Sequence, residues 1–383
     1  MGQNRKKIYW LVFLFSIPFA LAHYVNSSFI SSFVGEKFIG FLYFLGSLGS
    51  ILALALAPKI FQKIGGYKFL LLTTILNAFY FLLIANVKSA WGVVIIFILG
   101  FSLNILIAFI LDEFLKILTK NNLMGRVRGI QIVVTHVAFI LVLLSFWLFL
   151  GSHPFRIIYV ASFFVTMLFL LVLIFSLKNV PEPEYDKVSS VKFVRIFFRE
   201  KTLAKAYVIS LFLQIFYSWM IIYTPLYLSR HLGFTWNQIG IMFAIMLLPF
   251  LLIPARVGKY GDRFGERKIL MVGFTVASLA SLFIFFWTSL GVVGWTILLL
   301  ATRVGAAMIE VASDTYFFKH IKPENDEYVG VFRSASPLSY ILGPLLASLV
   351  FFFVPSFNFL YLFLSAIMLY GVYLSSTIKK SDI

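Results

Sequence analysis

The chain has 383 residues, of which 61% are hydrophobic and 12% charged, with a formal charge of +17 at neutral pH. No soluble core hides so much apolar surface, whereas a bilayer does, because a helix of about 20 apolar residues crosses it with every backbone N–H and C=O satisfied internally. The Lys and Arg residues sit between apolar runs and form no continuous basic domain, which argues against nucleic acid as a partner, and the absence of cysteine excludes disulfides, a thiol nucleophile and thiolate metal sites.

The first apolar run, approximately 8–30, follows Arg5, Lys6 and Lys7 and contains Ala20-Leu21-Ala22, the outline of a cleavable signal peptide. It has a counterpart in the second half of the chain, and its removal would orphan that partner, so it is expected to be retained. Further runs of spanning length follow at approximately 37–57, 69–87, 91–112, 129–151 and 156–177. Residues 178–203 then break the pattern with Pro181-Glu182-Pro183-Glu184 and continue with Val191, Val194 and Phe198 at helical spacing, interleaved with Lys192, Arg195 and Arg199. That spacing predicts a linker carrying an amphipathic helix on the membrane surface. Six more runs follow at approximately 204–229, 237–256, 268–289, 292–314, 330–353 and 357–377.

The expected fold is therefore an all-α integral membrane protein of twelve transmembrane helices. Residues 1–177 form one six-helix bundle, 178–203 the linker, and 204–383 a second six-helix bundle. An internal repeat about 200 residues apart supports this division: Ile39-Gly40 returns as Ile239-Gly240, and Lys59, Lys63, Gly65 and Lys68 return as Lys259, Arg263, Gly265 and Lys268. Asp112 falls near Asp314, and Gly129 near Gly330, so the two bundles are related by a parallel repeat. If both termini are cytoplasmic, nearly all loop Lys and Arg residues lie on that side and only Lys37, Lys88, Arg156 and Arg230 on the other, as the positive-inside rule requires. A multi-pass protein of the cell membrane is the expected location.

Between the eighth and ninth runs stands Gly258-Lys259-Tyr260-Gly261-Asp262-Arg263-Phe264-Gly265-Glu266-Arg267-Lys268. Its glycines permit a tight reversal, and Asp262 and Arg263 offer complementary charges. This run resembles the cytoplasmic loop signature of the major facilitator superfamily. The resemblance implies that Gly258, Asp262, Arg263 and Gly265 act as a cytoplasmic latch, with Asp314 and Arg333 as partners. The first-half copy has Pro58 opposite Gly258 and Gln62 where Asp262 stands, so its latch role is expected to pass to Asp112, Arg126 and Arg128, where Gly125-Arg126-Val127-Arg128-Gly129 is similar to another family loop. The resemblance also implies a monomer, and a central cavity near the midplane lined by the first, fourth, seventh and tenth helices.

On the tenth run Arg303, Glu310 and Asp314 share a helix face. Ionisable residues inside a membrane are costly and are functional by default. Arg303 must meet an anion, an acidic side chain or water, whereas Glu310 can become neutral by taking a proton and is the best proton carrier. The seventh run offers Gln214, Tyr217 and Trp219 to a solute, with Tyr223 and Tyr227 nearer the outer end, where aromatic residues also serve as interfacial anchors. His23, Tyr24, Asn104, Gln131 and His136 are further candidates of lower rank. The five histidines lack metal-ligand spacing, and no phosphate-binding loop or nucleophile elbow appears, so no enzyme, metal or cofactor is expected. The sequence thus points to a secondary active transporter of a small organic solute working by alternating access with proton coupling. Efflux of amphiphilic compounds, which fits the aromatic residues, is the favoured reading. The alternatives are uptake of a sugar or small organic acid, which fits Gln214, Asn104 and Arg303, and, from another class, a non-transporting membrane receptor or scaffold.

Overall fold

A computed structural model describes residues 2–119, 124–146, 155–178, 180, 191–254, 257, 265–321, 327–354 and 356–378. Among them every regular element is helical. Ten helical segments are long and apolar enough to cross a membrane, and two shorter apolar helices, Gly129–Leu144 and Trp236–Leu252, bring the set to twelve. Contacts divide the chain into two compact units, residues 1–186 with 235–240, and residues 187–234 with 241–383.

Unit 1 contains α1 (Gly2–His23), α2 (Asn26–Val34), α3 (Ile39–Ile64), α4 (Gly66–Asn86), α5 (Ala90–Ile117), α6 (Met124–Leu144) and α7 (Arg156–Leu177). The first span is not the continuous helix that its hydropathy predicts. It breaks at Tyr24 and Val25, and α2 restarts on Asn26-Ser27-Ser28, residues whose side chains compete with the helical backbone. The break is held from outside the segment: the Tyr159 hydroxyl on α7 donates to Asn26 Oδ1 at 2.8 Å. Toward the end of α1 that carries Arg5 to Lys7, Ile8, Leu11, Val12 and Phe15 pack against Ile107, Leu111 and Phe114 of α5 and Phe169 and Leu173 of α7, forming the buried core of the unit.

Unit 2 contains α8 (Val191–Arg199), α9 (Lys201–Ile222), most of α10 (Trp236–Leu247), α11 (Glu266–Phe286), α12 (Val292–His320), α13 (Glu327–Arg333), α14 (Ala335–Phe353) and α15 (Phe359–Ser376). Small residues let its backbones approach closely. A Cβ on Gly305 of α12 would lie 2.5 Å from the Gly273 carbonyl oxygen and 2.7 Å from the Ala277 nitrogen of α11. Ser278 and Ser365 each donate to the other's backbone carbonyl at 2.9 Å, joining α11 to α15 inside the apolar layer.

The repeat read from sequence is present in the helix limits. Gly65 and Gly265 both take left-handed φ, 82° and 81°, which only glycine adopts without strain, and each is followed by a helix of 21 residues, α4 and α11. The first spans of the two halves, Asn4–Val34 and Lys201–His231, are both 31 residues long. The linker helix forms as α8. However, its deeply buried side chain is Phe197, which packs edge-on against Tyr207 and Tyr328 and tilted against Phe317, while Val194 and Phe198 of the predicted stripe are exposed.

Candidate functional site

The charged pair of the tenth span lies in the middle of α12, where Gly305 sets the helix against α11. Arg303 is only 2% exposed. Its guanidinium carbon stands 5.2 Å from the ring centre of Tyr217 and 5.6 Å from that of Phe216, both on α9, within range of cation–π attraction. The Tyr217 hydroxyl in turn donates to Glu310 Oε2 at 2.8 Å. One tyrosine from α9 therefore touches both charged residues of α12, which are seven positions and about 10 Å apart along the helix axis. The sequence places these three residues in one site, and the structure adds that Tyr217 is the bridge between the other two.

Asp314, one turn beyond Glu310, accepts from Arg333 of α13 at 2.9 Å. Further along α12 is an ion pair that sequence reasoning missed, between Lys319 in its last turn and Glu266 in the first turn of α11, at 2.7 Å. Its signal was present: an acidic residue opening a helix after Gly265 and a basic residue closing another each complement a helix dipole. Gly265 itself ends the loop motif in the left-handed conformation. Gly258, Asp262 and Arg263 lie outside the described residues, as do the side chains of Arg126 and Arg128, although α6 carries both of those arginines.

The remaining candidates are dispersed. Trp219 is buried, and its Nε1 donates to the Gly343 carbonyl at 2.6 Å, so its one N–H is committed to joining α9 with α14. Tyr227 stacks on Phe357 at 5.3 Å, and Tyr223 packs edge-on against Phe351. Gln214, half-buried, lies one helical turn before Tyr217 and Ser218 on α9. In unit 1, Asn104 is buried, donates to the Gly100 carbonyl at 2.8 Å and accepts from Asn77 at 3.4 Å. His23 stacks on Phe19 at 4.7 Å. Asp112 accepts from Gln131 of α6 at 3.2 Å.

The model of the Major Facilitator Superfamily matches residues 8–324 and, in a second match, 208–380. No curated protein matches the chain by sequence. Among solved structures, the D-xylose-proton symporter superposes with a TM-score of 0.77 at 13% identity, over 98% of this chain and 97% of that one. The nucleoside transporter NupG gives 0.75 at 12% identity, over 99% of this chain and 100% of that one. The POT family transporter PepTSo gives 0.76 at 10% identity, over 98% and 97%. At these identities the similarity is one of fold. The family match spans both six-helix halves and makes the chain a membrane transporter: it belongs to the Major Facilitator Superfamily.

Proposed function

We propose that this protein is a proton-coupled secondary transporter of a small organic solute bearing an anionic or strongly polar group, with Arg303, Tyr217 and Glu310 at its site. The observation that carries this reading is the single tyrosine joining a buried cation to a carboxylate: Tyr217 lies under the Arg303 guanidinium and donates to Glu310. With Glu310 ionised, the two charges cancel and the tyrosine hydroxyl is held. When Glu310 takes a proton, the charge of Arg303 is left for a solute anion or dipole to balance, so proton and solute load together. The two six-helix bundles then alternate access to the site. The protein is read as lying in the cell membrane with both termini cytoplasmic, from the distribution of loop charges, and as a monomer, from the family resemblance.

Polar solutes are favoured over amphiphiles because the aromatic residues that suit amphiphiles are engaged elsewhere, Trp219 with Gly343 and Tyr227 with Phe357. The test is a panel of nucleosides, sugars, peptides, organic acids and amphiphilic cations offered to proteoliposomes under an imposed pH gradient. The expected result is uphill accumulation of a polar or acidic solute that Glu310→Gln abolishes while downhill exchange continues. Accumulation at full rate and unchanged pH dependence in Glu310→Gln would remove that residue as the proton carrier. Transport confined to amphiphilic cations would overturn the solute class.

A further inference from the structure

The linker helix α8 ends at Arg199, a single residue separating it from α9, which enters its membrane span at Lys201. Glu200 between them has extended backbone angles, φ −76° and ψ 102°, which turns α8 away from the axis of α9 at the membrane edge. Phe197 fixes the height of the helix. It packs among Tyr207 in the second turn of α9, Phe317 in the last turn of α12 and Tyr328 of α13, and Phe317 is itself stacked on Phe332 at 4.0 Å. α8 is thus clamped beside the ends of the α9 and α12 spans.

Around the helix the described side chains fall into three adjacent stripes. Phe197 faces the protein. Next to it, Val194 and Phe198, four residues apart on one stripe, are exposed apolar groups, Phe198 also resting edge-on against Tyr207 at 5.0 Å. The following stripe, about 100° further round, carries Arg195 and Arg199, both exposed. Exposed Lys201 follows the helix, Glu200 opposes this positive charge, and Ile196 lies exposed beyond the basic stripe. An apolar stripe flanked by guanidinium groups matches a lipid surface with acyl carbons below and phosphate oxygens above. We propose that α8 docks on the anionic lipid of the adjacent leaflet, with Val194 and Phe198 at the acyl boundary and Arg195 and Arg199 on lipid phosphates, and with Phe197 as its hinge to the transporter. This inference is independent of the solute site.

The chain has no cysteine, so Val194→Cys and Phe198→Cys can each carry a single polarity-sensitive fluorophore on the full-length protein. In vesicles of phosphatidylcholine mixed with phosphatidylglycerol, both labels should emit to the blue and be quenched by spin-labelled acyl chains. In pure phosphatidylcholine the effect should be weaker, and high salt should remove the difference. Replacing both arginines, Arg195→Gln with Arg199→Gln, should reduce the phosphatidylglycerol-dependent part of the signal by about fivefold for each charge removed. Should that double variant fold poorly, the salt titration of the parent protein decides alone. Labels that stay in water in both vesicles, or that insert equally in both regardless of salt, would overturn the proposal.

Discussion

In unit 1, Gln131 donates to Asp112 at 3.2 Å across 19 positions of sequence, and in unit 2, Arg333 donates to Asp314 at 2.9 Å across the same 19 positions. The two contacts join equivalent elements, the end of the fourth or tenth span to the helix that follows it. In the register that pairs these aspartates, Phe101 stands opposite Arg303 and Ala108 opposite Glu310. The first spans of the halves, aligned from their starts at Asn4 and Lys201, put Ala20 opposite Tyr217. The polar contact at the end of the span thus recurs in both halves, while the charged trio at membrane depth is confined to the second. A fold that needs only Phe, Ala and Ala at these depths in one copy does not need Arg, Glu and Tyr in the other. Their desolvation cost is then unexplained by architecture, which is the physical ground for proposing them as the transport site.

The sharpest way to break the comparison is to give unit 2 the side chains of unit 1. The double variant Arg303→Phe with Glu310→Ala removes both charges together, and replacing a buried charge pair by apolar groups is often neutral for stability, whereas removing one partner strands the other. We expect a folded, monodisperse protein whose thermal midpoint in detergent stays near that of the parent and whose uphill accumulation in proteoliposomes is lost. Retained accumulation would show that the charges belong to the architecture after all. The single variant Arg303→Phe should be the less stable protein, because Glu310 then keeps its ionisable group without the cation that balances it across Tyr217.

A second difference between the halves is the close approach of α11 and α12. In the registers used above, Gly273 and Gly305 correspond to Thr73 and Leu103, so at these positions unit 2 brings two glycine backbones together where unit 1 carries side chains. Gly305→Ala would place its Cβ 2.5 Å from the Gly273 carbonyl oxygen and 2.7 Å from the Ala277 nitrogen, both backbone atoms that cannot rotate away. Overpacking of this kind costs about 1–3 kcal/mol. A fall of several degrees in the thermal midpoint is expected, together with slower transport, since Arg303 and Glu310 lie on the displaced helix. An unchanged midpoint would show that α12 has room to move and that the glycine contact does not position the site.

Much of this was legible in the sequence, and the missing parts share one cause. Hydropathy gave the apolar runs, and the spacing of Arg303, Glu310 and Asp314 put them on one face, because both are local properties of a helix. The bridging role of Tyr217 depends on a partner 93 residues away, the commitment of Trp219 on one 124 residues away, and the break at Asn26 on a tyrosine 133 residues away. None of these can be read from a period of 3.6 residues. The linker shows the same limit: the spacing in α8 picks out the exposed stripe of Val194 and Phe198, yet only packing reveals that Phe197 is buried against Tyr207, Phe317 and Tyr328 and that Phe198 also meets Tyr207.

The smallest expected effect comes from the contact that the halves share. If the aspartate at the end of the fourth and tenth spans needs only a donor from the next helix, then glutamine, which serves Asp112, should also serve Asp314. Arg333 is 53% exposed and Asp314 27%, so their charges are well screened. Exposed ion pairs of this kind contribute about 0–1 kcal/mol, and a neutral amide hydrogen bond retains part of that. Arg333→Gln should therefore lower the thermal midpoint only slightly and leave accumulation within a factor of a few of the parent. Arg333→Ala, which supplies no donor, should fall further than Arg333→Gln. Its aspartate would still be partly hydrated, which limits the penalty. Equal losses in the two variants would mean that the charge of Arg333 matters and not its hydrogen bond. The repeat would then preserve the geometry of this contact while its chemistry had diverged, and the end of the tenth span would belong with the charged trio and not with the shared architecture.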